Sequence, residues 1–354
     1  MVFDREFYKG RKVLVTGHTG FKGIWLCKML DMCGADVTGY ALEPPTAEGA
    51  KVFQRSGVEA ATSSIIGDIR DLELLQQVFG RCRPEVVFHL AAQPIVFEGY
   101  RNPVETYSTN VMGTVNVLEC IRQTDSVKSF VNITTDKVYE NKEWLWGYRE
   151  NEALDGFDPY SNSKSCSELV TRTYRRSFFA DGRTAISTAR AGNVIGGGDF
   201  SPGRIIPDCI RAAYKGRDIH VRNPYSVRPY QHVLEPLCAY LMIAARQYED
   251  NKLADSYNVG PDEGDCLTTG ELVEMFCHLW GNLSWQDIST DTPHEAELLK
   301  LDCSKLKKAM GWQPRWHIRE ALDRTIEWAR AWQSDDDIGK LMEKQIGDYW
   351  KGQP

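Results

Sequence analysis

A tyrosine and a lysine four residues apart could handle protons in this sequence. Tyr160 and Lys164 occur in the segment DPYSNSKS, where a helix would place both side chains on one face. A neighbouring ammonium favours the phenolate and would lower the pKa of the tyrosine from about 10 towards neutrality. Such a phenol can take the proton of an alcohol while a hydride leaves the same carbon. The spacing alone is weak, because Tyr8 and Lys12 repeat it before the first predicted strand.

A second group of reactive side chains follows a predicted strand. The segment 133–144 reads ITTDKVYENKEW, in which β-forming residues give way to Thr135, Asp136 and Lys137. Strands commonly end in polar residues because loops begin there, so these side chains could be ordinary. Alternatively, a hydroxyl, an acid and a base next to each other could act on protons.

A glycine-rich loop, VLVTGHTGFKG, lies between a predicted strand and a predicted helix. Its glycines are Gly17, Gly20 and Gly23. Glycine lets a dinucleotide pyrophosphate approach the helix N-terminus, where free N–H groups attract anions. A tight turn is the alternative, but the position after the first strand of an alternating pattern favours a dinucleotide site. The other loop residues that we expect at the cofactor are His18, Phe21 and Lys22. Lys22 could contact phosphate or only solvate the helix start.

The elements that would position these groups alternate along the first half of the chain. Predicted strands are Lys12–Thr16, Asp36–Ala41, Ser63–Ile66, Val86–Leu90, Ser129–Thr135 and Ala185–Arg190. Predicted helices are Lys22–Cys33, Leu72–Phe79, Val104–Arg122 and Ser161–Phe179. This alternation predicts an α/β fold with a Rossmann-type, doubly wound parallel sheet.

The rhythm changes after about residue 191, where GNVIGGGDFSPG predicts a loop. We expect a smaller, mixed α/β C-terminal substrate domain over the carboxyl ends of the strands, where open sheets bind ligands. Tyr257–Gly260 should return to the main sheet. The dinucleotide-binding domain would then span residues 1–190 plus about 231–262, and the substrate domain about 191–230 plus 263–354.

Composition narrows the functional classes. The 354 residues suffice for one large domain or two joined ones. No apolar run approaches the roughly 20 residues that span a bilayer, and the N-terminus lacks an apolar signal segment, so we expect a cytoplasmic protein without membrane contact. The net charge of -7 argues against nucleic-acid binding. The ten cysteines form no CxxC pair and lie in apolar stretches, which predicts reduced thiols and no metal site.

The GxxGxxG spacing, followed by a strand ending in Thr135 and a helix carrying Tyr160 and Lys164, resembles the extended short-chain dehydrogenase/reductase superfamily. The Thr-Asp-Lys-Val-Tyr segment resembles one family within it, the CDP-glucose 4,6-dehydratases. The resemblance runs along essentially the whole chain. Its other motifs are GHTGFKG, HLAAQP, DPYSNSK, RAGNVIGGGD, RPYQHV and LKLD.

The resemblance implies NAD as the cofactor. Asp68 and Ile69 would lie against adenine, although Asp68 could instead cap the next helix. The small-residue segment at the end of the fourth strand, which would allow close approach of the cofactor, comprises Leu90, Ala91, Ala92 and Gln93. The acid that usually grips the adenosine ribose is replaced by Ala41, and no arginine stands nearby to bind a 2′-phosphate. NAD is therefore preferred over NADP, and the ribose contact is left open.

The implied reaction is the redox-neutral dehydration of CDP-glucose to CDP-4-keto-6-deoxyglucose, towards 3,6-dideoxyhexoses of bacterial surface polysaccharide. Tyr160, helped by Thr135 and Lys164, would remove the 4-hydroxyl proton as hydride passes to NAD. Asp136 would protonate the departing 6-hydroxyl, for which it must itself be protonated. Lys137 would be the base at C5 or an electrostatic stabiliser of the enolate, and the sequence leaves both open.

The nucleotide end of the substrate should lie in the second domain. Asn193 resembles a residue that meets the diphosphate, and Arg228 resembles an arginine that clamps it. Arg204 and His232 are further candidates. A surface salt bridge is the alternative for Arg228. No residue can be assigned to cytosine.

Two other functions remain open from the sequence. One is a different NAD-dependent nucleotide-sugar enzyme, such as a 4-epimerase or decarboxylase. An epimerase would not need the acid and base at Asp136 and Lys137. An NAD-sensing protein without catalysis would tend to lack Tyr160 or Lys164. The superfamily resemblance also implies a homodimer or homotetramer through a four-helix bundle of Val104–Arg122 and Ser161–Phe179. The apolar residues expected at that interface, unless they only cover the sheet, are Leu118, Ile121, Leu169 and Val170.

Overall fold

A computed structural model describes residues 4–289 and 297–351. Its strands are β1 (Lys12–Thr16), β2 (Asp36–Ala41), β3 (Ser63–Ile66), β4 (Val86–His89), β5 (Ser129–Thr135), β6 (Ala185–Ala191), β7 (Asn193–Ile195), β8 (Ile219–Val221), β9 (Val227–His232), β10 (Ser256–Val259), β11 (Cys266–Thr268) and β12 (Trp285–Asp287).

The α-helices are α1 (Phe21–Met32), α2 (Ala47–Arg55), α3 (Val58–Ala61), α4 (Leu72–Cys82), α5 (Val96–Arg101), α6 (Pro103–Tyr107), α7 (Gly113–Arg122), α8 (Pro159–Phe178), α9 (Ile205–Tyr214), α10 (Leu234–Glu249), α11 (Thr269–Trp280), α12 (Ser304–Met310), α13 (Ile318–Gln333) and α14 (Ile338–Lys351). Short 3₁₀ turns occupy Glu6–Tyr8, Asp136–Val138, Asn251–Leu253 and Glu263–Asp265, and a π-helical turn occupies Ser108–Met112.

The main sheet has seven parallel strands in the order β10-β6-β5-β4-β1-β2-β3. Its central strands are short apolar runs buried on both faces, as expected for a parallel sheet covered by helices. The order reverses between β1 and β4, and ligands bind open α/β sheets at such a switch point. This architecture confirms the predicted Rossmann-type fold, and β10 returns to the sheet beside β6 as predicted.

Smaller sheets follow in the second half of the chain. Strands β11, β9 and β7 form one, and β12 pairs with β8 in another. A separate apolar cluster, including Ile206, Tyr230, Phe276 and Ile326, surrounds them. Helix α14 instead packs on α1 beside the main sheet. The sequence assigned the residues of α14 to the substrate domain, but in the structure they pack with the core of the main sheet. The proposed domain boundaries stay a prediction.

The predicted helix Val104–Arg122 is interrupted. Helix α6 ends at Tyr107, the backbone widens into the π-helical turn over Ser108–Met112, and α7 begins at Gly113. Such wide turns occur mostly within helices and often at functional sites. Here the turn places Asn110 in the interior, where its side chain bonds both the Gln93 backbone and Ser163.

The apolar face expected at a helical-bundle interface is mostly inside the protein. Leu118 and Ile121 are fully buried against the sheet, and Val170 is partly buried on the same cluster. Only Leu169 is exposed among the four. The helix period places the larger apolar stripe towards the sheet, so the assignment of Leu118 and Ile121 to an interface was wrong.

Membrane-spanning helices, disulfide bonds and metal sites were not expected, and the following statements apply to residues 4–289 and 297–351. None of the helices there is long and apolar enough to cross a bilayer. All ten cysteines are free thiols. Within the same residues, no cluster of three or more histidine, cysteine or carboxylate side chains could hold a metal ion.

The turn from β1 into α1 requires glycine at two positions. Gly17 has a positive φ of 79°, and a Cβ there would meet the backbone nitrogen of Ala91 at 2.7 Å. A Cβ on Gly23 would lie 2.1 Å from the carbonyl oxygen of Gly17. The first turn of the helix therefore packs directly on the loop that precedes it.

The Gly23→Ala substitution should lower the free energy of unfolding by about 1–3 kcal/mol, because the new methyl group overpacks the turn. Gly80→Ala on α4 is the matched control, since a Cβ there meets no atom within 4 Å. It should raise stability by about 0.5–1 kcal/mol, the usual gain for alanine over glycine in a helix. Urea unfolding of both variants measures the difference, and equal effects would contradict the packing described.

Candidate active site

The N-terminus of α1 can accept an anion. Gly20 is its N-cap, in extended conformation and without a side-chain cap. The close approach of Gly17 to Ala91 keeps the loop low over the end of β4. Uncapped N–H groups and the helix dipole attract phosphate. This bare cradle fits the pyrophosphate of a dinucleotide, with Gly17, Gly20 and Gly23 holding the backbone in place.

His18 points away from this cradle. Its imidazole is buried, its Nε2 lies 2.7 Å from the Ser64 hydroxyl, and the ring packs edge-on to Phe53. A Cβ on Gly39 would meet the imidazole at 2.3 Å, so the ring fills the space under β2. Burial lowers the pKa of His18 to about 4. Only the backbone of His18 remains a candidate for cofactor contact, because its side chain belongs to the core.

Asp68 is paired with Arg70. Its carboxylate receives the guanidinium at 2.5 Å and also accepts the backbone N–H of residue 70. This side-chain bond lowers the pKa of Asp68. Helix α4 is capped instead by Asp71, which accepts the N–H of Leu74, so the capping alternative for Asp68 was wrong. Ile69 is buried in the apolar cluster between the main sheet and the helices α4 and α7.

The segment after β4 lies beside the glycine loop. The backbone N–H of Ala91 donates to the Thr16 hydroxyl, and the Leu90 N–H donates to the Thr16 carbonyl. Gln93 is fixed by Asn110 and by Thr106. Leu90, Ala91, Ala92 and Gln93 are all partly exposed at this edge of the sheet. The segment therefore lies where the resemblance expects the cofactor. The contact of each of these four residues with the cofactor stays a prediction.

Strand β5 carries Thr135 to the carboxyl edge of the sheet, and a 3₁₀ turn over Asp136–Val138 follows at once. The Thr135 hydroxyl lies 3.0 Å from the Asp136 carboxyl and 3.4 Å from the Lys137 backbone nitrogen. Asp136 is almost fully buried, and its Oδ2 has no hydrogen-bond partner among the described residues. Its side chain faces Gly192 at the end of β6.

Burial raises the pKa of Asp136, although Lys137, the Thr135 hydroxyl, Arg228 and Lys22 all oppose the shift. Desolvation penalises the carboxylate more than these groups stabilise it. A neutral carboxyl that has one unpartnered oxygen can donate a proton to a group that enters the site. The pKa of Asp136 is therefore shifted in the direction that a proton-donating acid at this position requires.

Tyr160 opens helix α8, which Asp158 caps by accepting the N–H of Ser161 at 3.0 Å. The phenol lies next to Thr135 at the wall of the cavity. Burial raises the pKa of Tyr160 to about 12, although Thr135 and Arg204 lower it. The sequence predicted the opposite direction, because it could not show that desolvation outweighs the nearby groups that lower the pKa of this tyrosine.

Lys164 lies one turn further along α8. Its ammonium donates to the carbonyl oxygen of Ile133 at 3.2 Å, in β5. Burial lowers the pKa of Lys164 to about 8, opposed by the carboxylate of Glu168. The lysine therefore ties the helix to the strand that carries Thr135, and it is poised to change charge at mildly alkaline pH.

These groups border one cavity of about 780 Å³, a size typical of ligand sites. The predicted catalytic and substrate residues that line it are Thr135, Asp136, Lys137, Tyr160, Asn193, Arg204 and Arg228. Lys164 lies behind Tyr160 and is not part of the lining. The predicted convergence of a phenol, a hydroxyl and an acid–amine pair is present in the structure.

Lys22 turns into this cavity as well. Burial lowers its pKa to about 8, assisted by the charges of Arg204 and Lys164 and opposed by Asp136 and Asp199. The sequence left Lys22 either at phosphate or in solvent at the helix start. The structure places its ammonium among the side chains around Asp136 instead.

Arg228 reaches the cavity, whereas His232, which was also expected at the nucleotide end, does not. Arg228 is buried on β9, where it donates to the carbonyl oxygen of Val227 at 2.9 Å, and its charge acts on Asp136. It is therefore no surface arginine. His232 is fully buried between Trp25 and Trp316 and does not line the cavity. Its placement contradicts the substrate-binding assignment.

Several lining residues were not identified from the sequence. Asp199 is buried and holds Arg204 through a 3.1 Å ion pair. Arg222 stacks over the ring of Phe97 at 5.3 Å, so it joins two segments at the cavity wall, with His220 nearby in the lining. The RAGNVIGGGD motif contained a signal for Asp199. The remaining residues come from distant segments, and no local pattern links them.

The comparisons with known proteins agree with this geometry. The family model described as GDP-mannose 4,6 dehydratase matches residues 14–325. CDP-glucose 4,6-dehydratase from Salmonella typhimurium is 47% identical, over 98% of this chain and 98% of its own. This identity confirms the resemblance inferred from the motifs.

Solved structures share the fold. dTDP-glucose 4,6-dehydratase from Bacillus anthracis in complex with NAD has a TM-score of 0.75 at 21% identity, covering 94% of this chain and 100% of that one. UDP-glucose 4-epimerase from Thermotoga maritima with UDP-glucose has a TM-score of 0.78 at 23% identity, covering 91% and 99%. Similarity at this level of identity establishes architecture only. With the family match and the 47% relative, the chain belongs to the GDP-mannose 4,6-dehydratase family.

Proposed function

We propose that this protein catalyses the redox-neutral dehydration of CDP-glucose to CDP-4-keto-6-deoxyglucose with NAD that is recycled within the site. The observation that carries the proposal is the single cavity in which Thr135, Asp136, Lys137 and Tyr160 converge. The 47% identical relative, a CDP-glucose 4,6-dehydratase, supports the nucleotide. The bare glycine cradle supports a dinucleotide cofactor.

Tyr160 and Thr135 would act on the sugar 4-hydroxyl. Phenol and hydroxyl lie close to each other at the cavity wall, where both can contact one alcohol oxygen. Tyr160 would take the proton, and Lys164 would hold the helix to β5 during this step. NAD, when bound, would accept the hydride of C4 and return it to C6. The nicotinamide ring of bound NAD would be positively charged. A positive charge near the phenol would favour the phenolate, which burial alone disfavours.

Asp136 and Lys137 would remove water from the resulting 4-ketone. The ketone acidifies the C5 hydrogen, which Lys137 could take as a base, and Asp136 would protonate the departing 6-hydroxyl. The burial that raises the pKa of Asp136 favours the protonated carboxyl that this step requires. Lys137 could alternatively remain charged and stabilise the enolate. A 4-epimerase would have no use for an acid and an amine at this place.

The cationic wall of the cavity suits the diphosphate. Arg204 and Arg228 both line it, and guanidinium groups bind phosphate oxygens through two parallel hydrogen bonds. Asn193 borders the same space at the start of β7. Together these residues would bind the nucleotide end while the sugar lies beside Tyr160.

Incubating the protein with NAD and CDP-glucose tests the proposal. A 4-keto product that absorbs in alkali should form without net NADH, whereas UDP-, dTDP- and GDP-glucose should react much more slowly. Interconversion of glucose and galactose nucleotides without a keto product would instead identify an epimerase. Absence of turnover with every nucleotide would contradict the proposal.

Asp136→Asn should lower the rate of water loss by about 100-fold or more, because the amide cannot supply the proton. Oxidation at C4 should persist, so enzyme-bound NADH should accumulate. In the unmodified protein the rate of water loss should fall as pH rises through the raised pKa of Asp136, since only its protonated form donates. Stopped-flow absorbance of NADH against pH measures both effects. Unchanged product formation in Asp136→Asn would exclude this role.

Assembly belongs to the same proposal, and we propose a homodimer through α6, the adjoining π-helical turn and α8. These elements expose Val104, which is 83% exposed, Met112, which is 51% exposed, and Leu169. Apolar side chains of this size are seldom left to water in groups without a partner. A homotetramer is the alternative assembly, and a cytoplasmic location completes the proposal.

Met112→Glu should convert the dimer into monomers in sedimentation velocity, because burying an unpaired carboxylate opposes association. The control is Leu145→Glu, which adds the same charge at a leucine that is 74% exposed. Leu145 lies on a loop outside the proposed interface. That variant should leave the assembly unchanged. Loss of the dimer in the control and not in Met112→Glu would place the interface elsewhere.

A further inference from the structure

A buried ion pair lies directly beneath the catalytic residues. Glu168 and Arg190 approach at 2.8 Å with side chains only 1% and 3% exposed. Burial alone would raise the pKa of Glu168, but Arg190 and two threonine hydroxyls hold it below its ordinary value. Replacing buried ion pairs by apolar residues is often neutral or stabilising, so such a pair is weak evidence for a role in stability alone.

The pair holds the catalytic segment at both ends. One carboxylate oxygen of Glu168 accepts the hydroxyl of Thr134 at 2.6 Å, immediately before Thr135. Arg190 donates to the Tyr139 hydroxyl at 2.8 Å, two residues beyond Lys137. Residues 135–137 therefore lie between two points that are fixed by one ion pair.

The same pair joins this segment to the catalytic helix. Glu168 follows Lys164 by one turn of α8, and its second carboxylate oxygen binds Thr188 and Arg190 on β6. In the sheet, Thr134 of β5 lies directly opposite Arg190. Helix α8, the end of β5 and the end of β6 therefore meet at one carboxylate.

We infer that Glu168, with Arg190, is a positioning residue that holds Thr135, Asp136 and Lys137 in register with Tyr160 and Lys164. The inference rests on the proposed function for its kinetic consequence. Neither partner touches the cavity, so both act through the residues that they hold. Misplacement of reacting groups by about 1 Å can lower a rate about 100-fold, which makes such anchoring consequential.

The carboxylate also acts on the charge of Lys164. The titratable groups that act on this lysine, or on which it acts, are Glu168 of α8, His89 of β4 and Lys22 of α1. Glu168 is the anion among them and favours the ammonium. Removing its charge should lower the pKa of Lys164 below about 8, and Arg190 left without its partner would add to this effect.

Glu168→Gln tests the inference. We expect kcat with CDP-glucose to fall about 10- to 100-fold with little change in KM, as positioning of reacting groups predicts. The alkaline limb of the kcat/KM profile that reports Lys164 should move to lower pH. Amide hydrogen exchange at residues 134–139 should accelerate in the protein without substrate.

Glu235→Gln is the matched control. Glu235 is an equally buried carboxyl with three donors, the N–H groups of Arg315 and Trp316 and the Tyr349 hydroxyl. It lies outside the cavity lining, so this variant should keep kcat and the pH profile whatever its melting temperature. Equal losses of kcat in both variants would overturn the inference, because they would show a general effect of instability.

Thr134→Val and Thr188→Val keep the test decisive if Glu168→Gln does not fold. Each removes one hydroxyl bonded to Glu168, but only Thr134 adjoins the catalytic segment. Thr134→Val should lower kcat about 10-fold and Thr188→Val by less than about twofold. Equal rates, or unchanged exchange at residues 134–139, would overturn the inference. If the unmodified protein does not turn over CDP-glucose, the proposed function fails while hydrogen exchange still tests the positioning.

Discussion

The burial of a carboxyl group at the end of β5 is the constraint on which the site depends. Taking an ionised carboxylate out of water costs several kcal/mol even after relaxation. Asp136 is 2% exposed, and Lys137, Lys22 and Arg228 only partly offset the desolvation that raises its pKa. The surrounding cations and the acid thus depend on each other, since removing a cation would raise the pKa of Asp136 further.

The parallel sheet explains why these groups can meet. Strands β5 and β6 end side by side, with Thr135 opposite Ala191, so residues 56 positions apart along the chain share one edge. Helix α8 crosses that edge and brings Tyr160 against Thr135. The glycine turn at the end of β1 opens the adjacent edge to a dinucleotide. One architecture therefore delivers the proton-transfer groups and the cofactor cradle to the same place.

Local patterns predicted the strands and the order of the motifs, because apolar runs and glycine turns are properties of neighbouring residues. The bounds of β1, β2, β3 and β5 are as predicted. Direction and depth of side chains depend on distant residues instead. The sequence could therefore not show that the side chain of His18 fills space under β2, and it misplaced His232, which lies between two tryptophans. It also overlooked Glu168 and Asp199, whose partners come from other elements.

The most direct test of the dehydration follows a single hydrogen. CDP-glucose that carries deuterium at C4 would be converted in ordinary water, and the product would be analysed by NMR and mass spectrometry. The account predicts deuterium at C6 of the 4-keto-6-deoxy sugar, transferred within the same site, and solvent hydrogen at C5. Release of the label to water or to free NADH, or its retention at C4 of an epimerised sugar, would contradict the account.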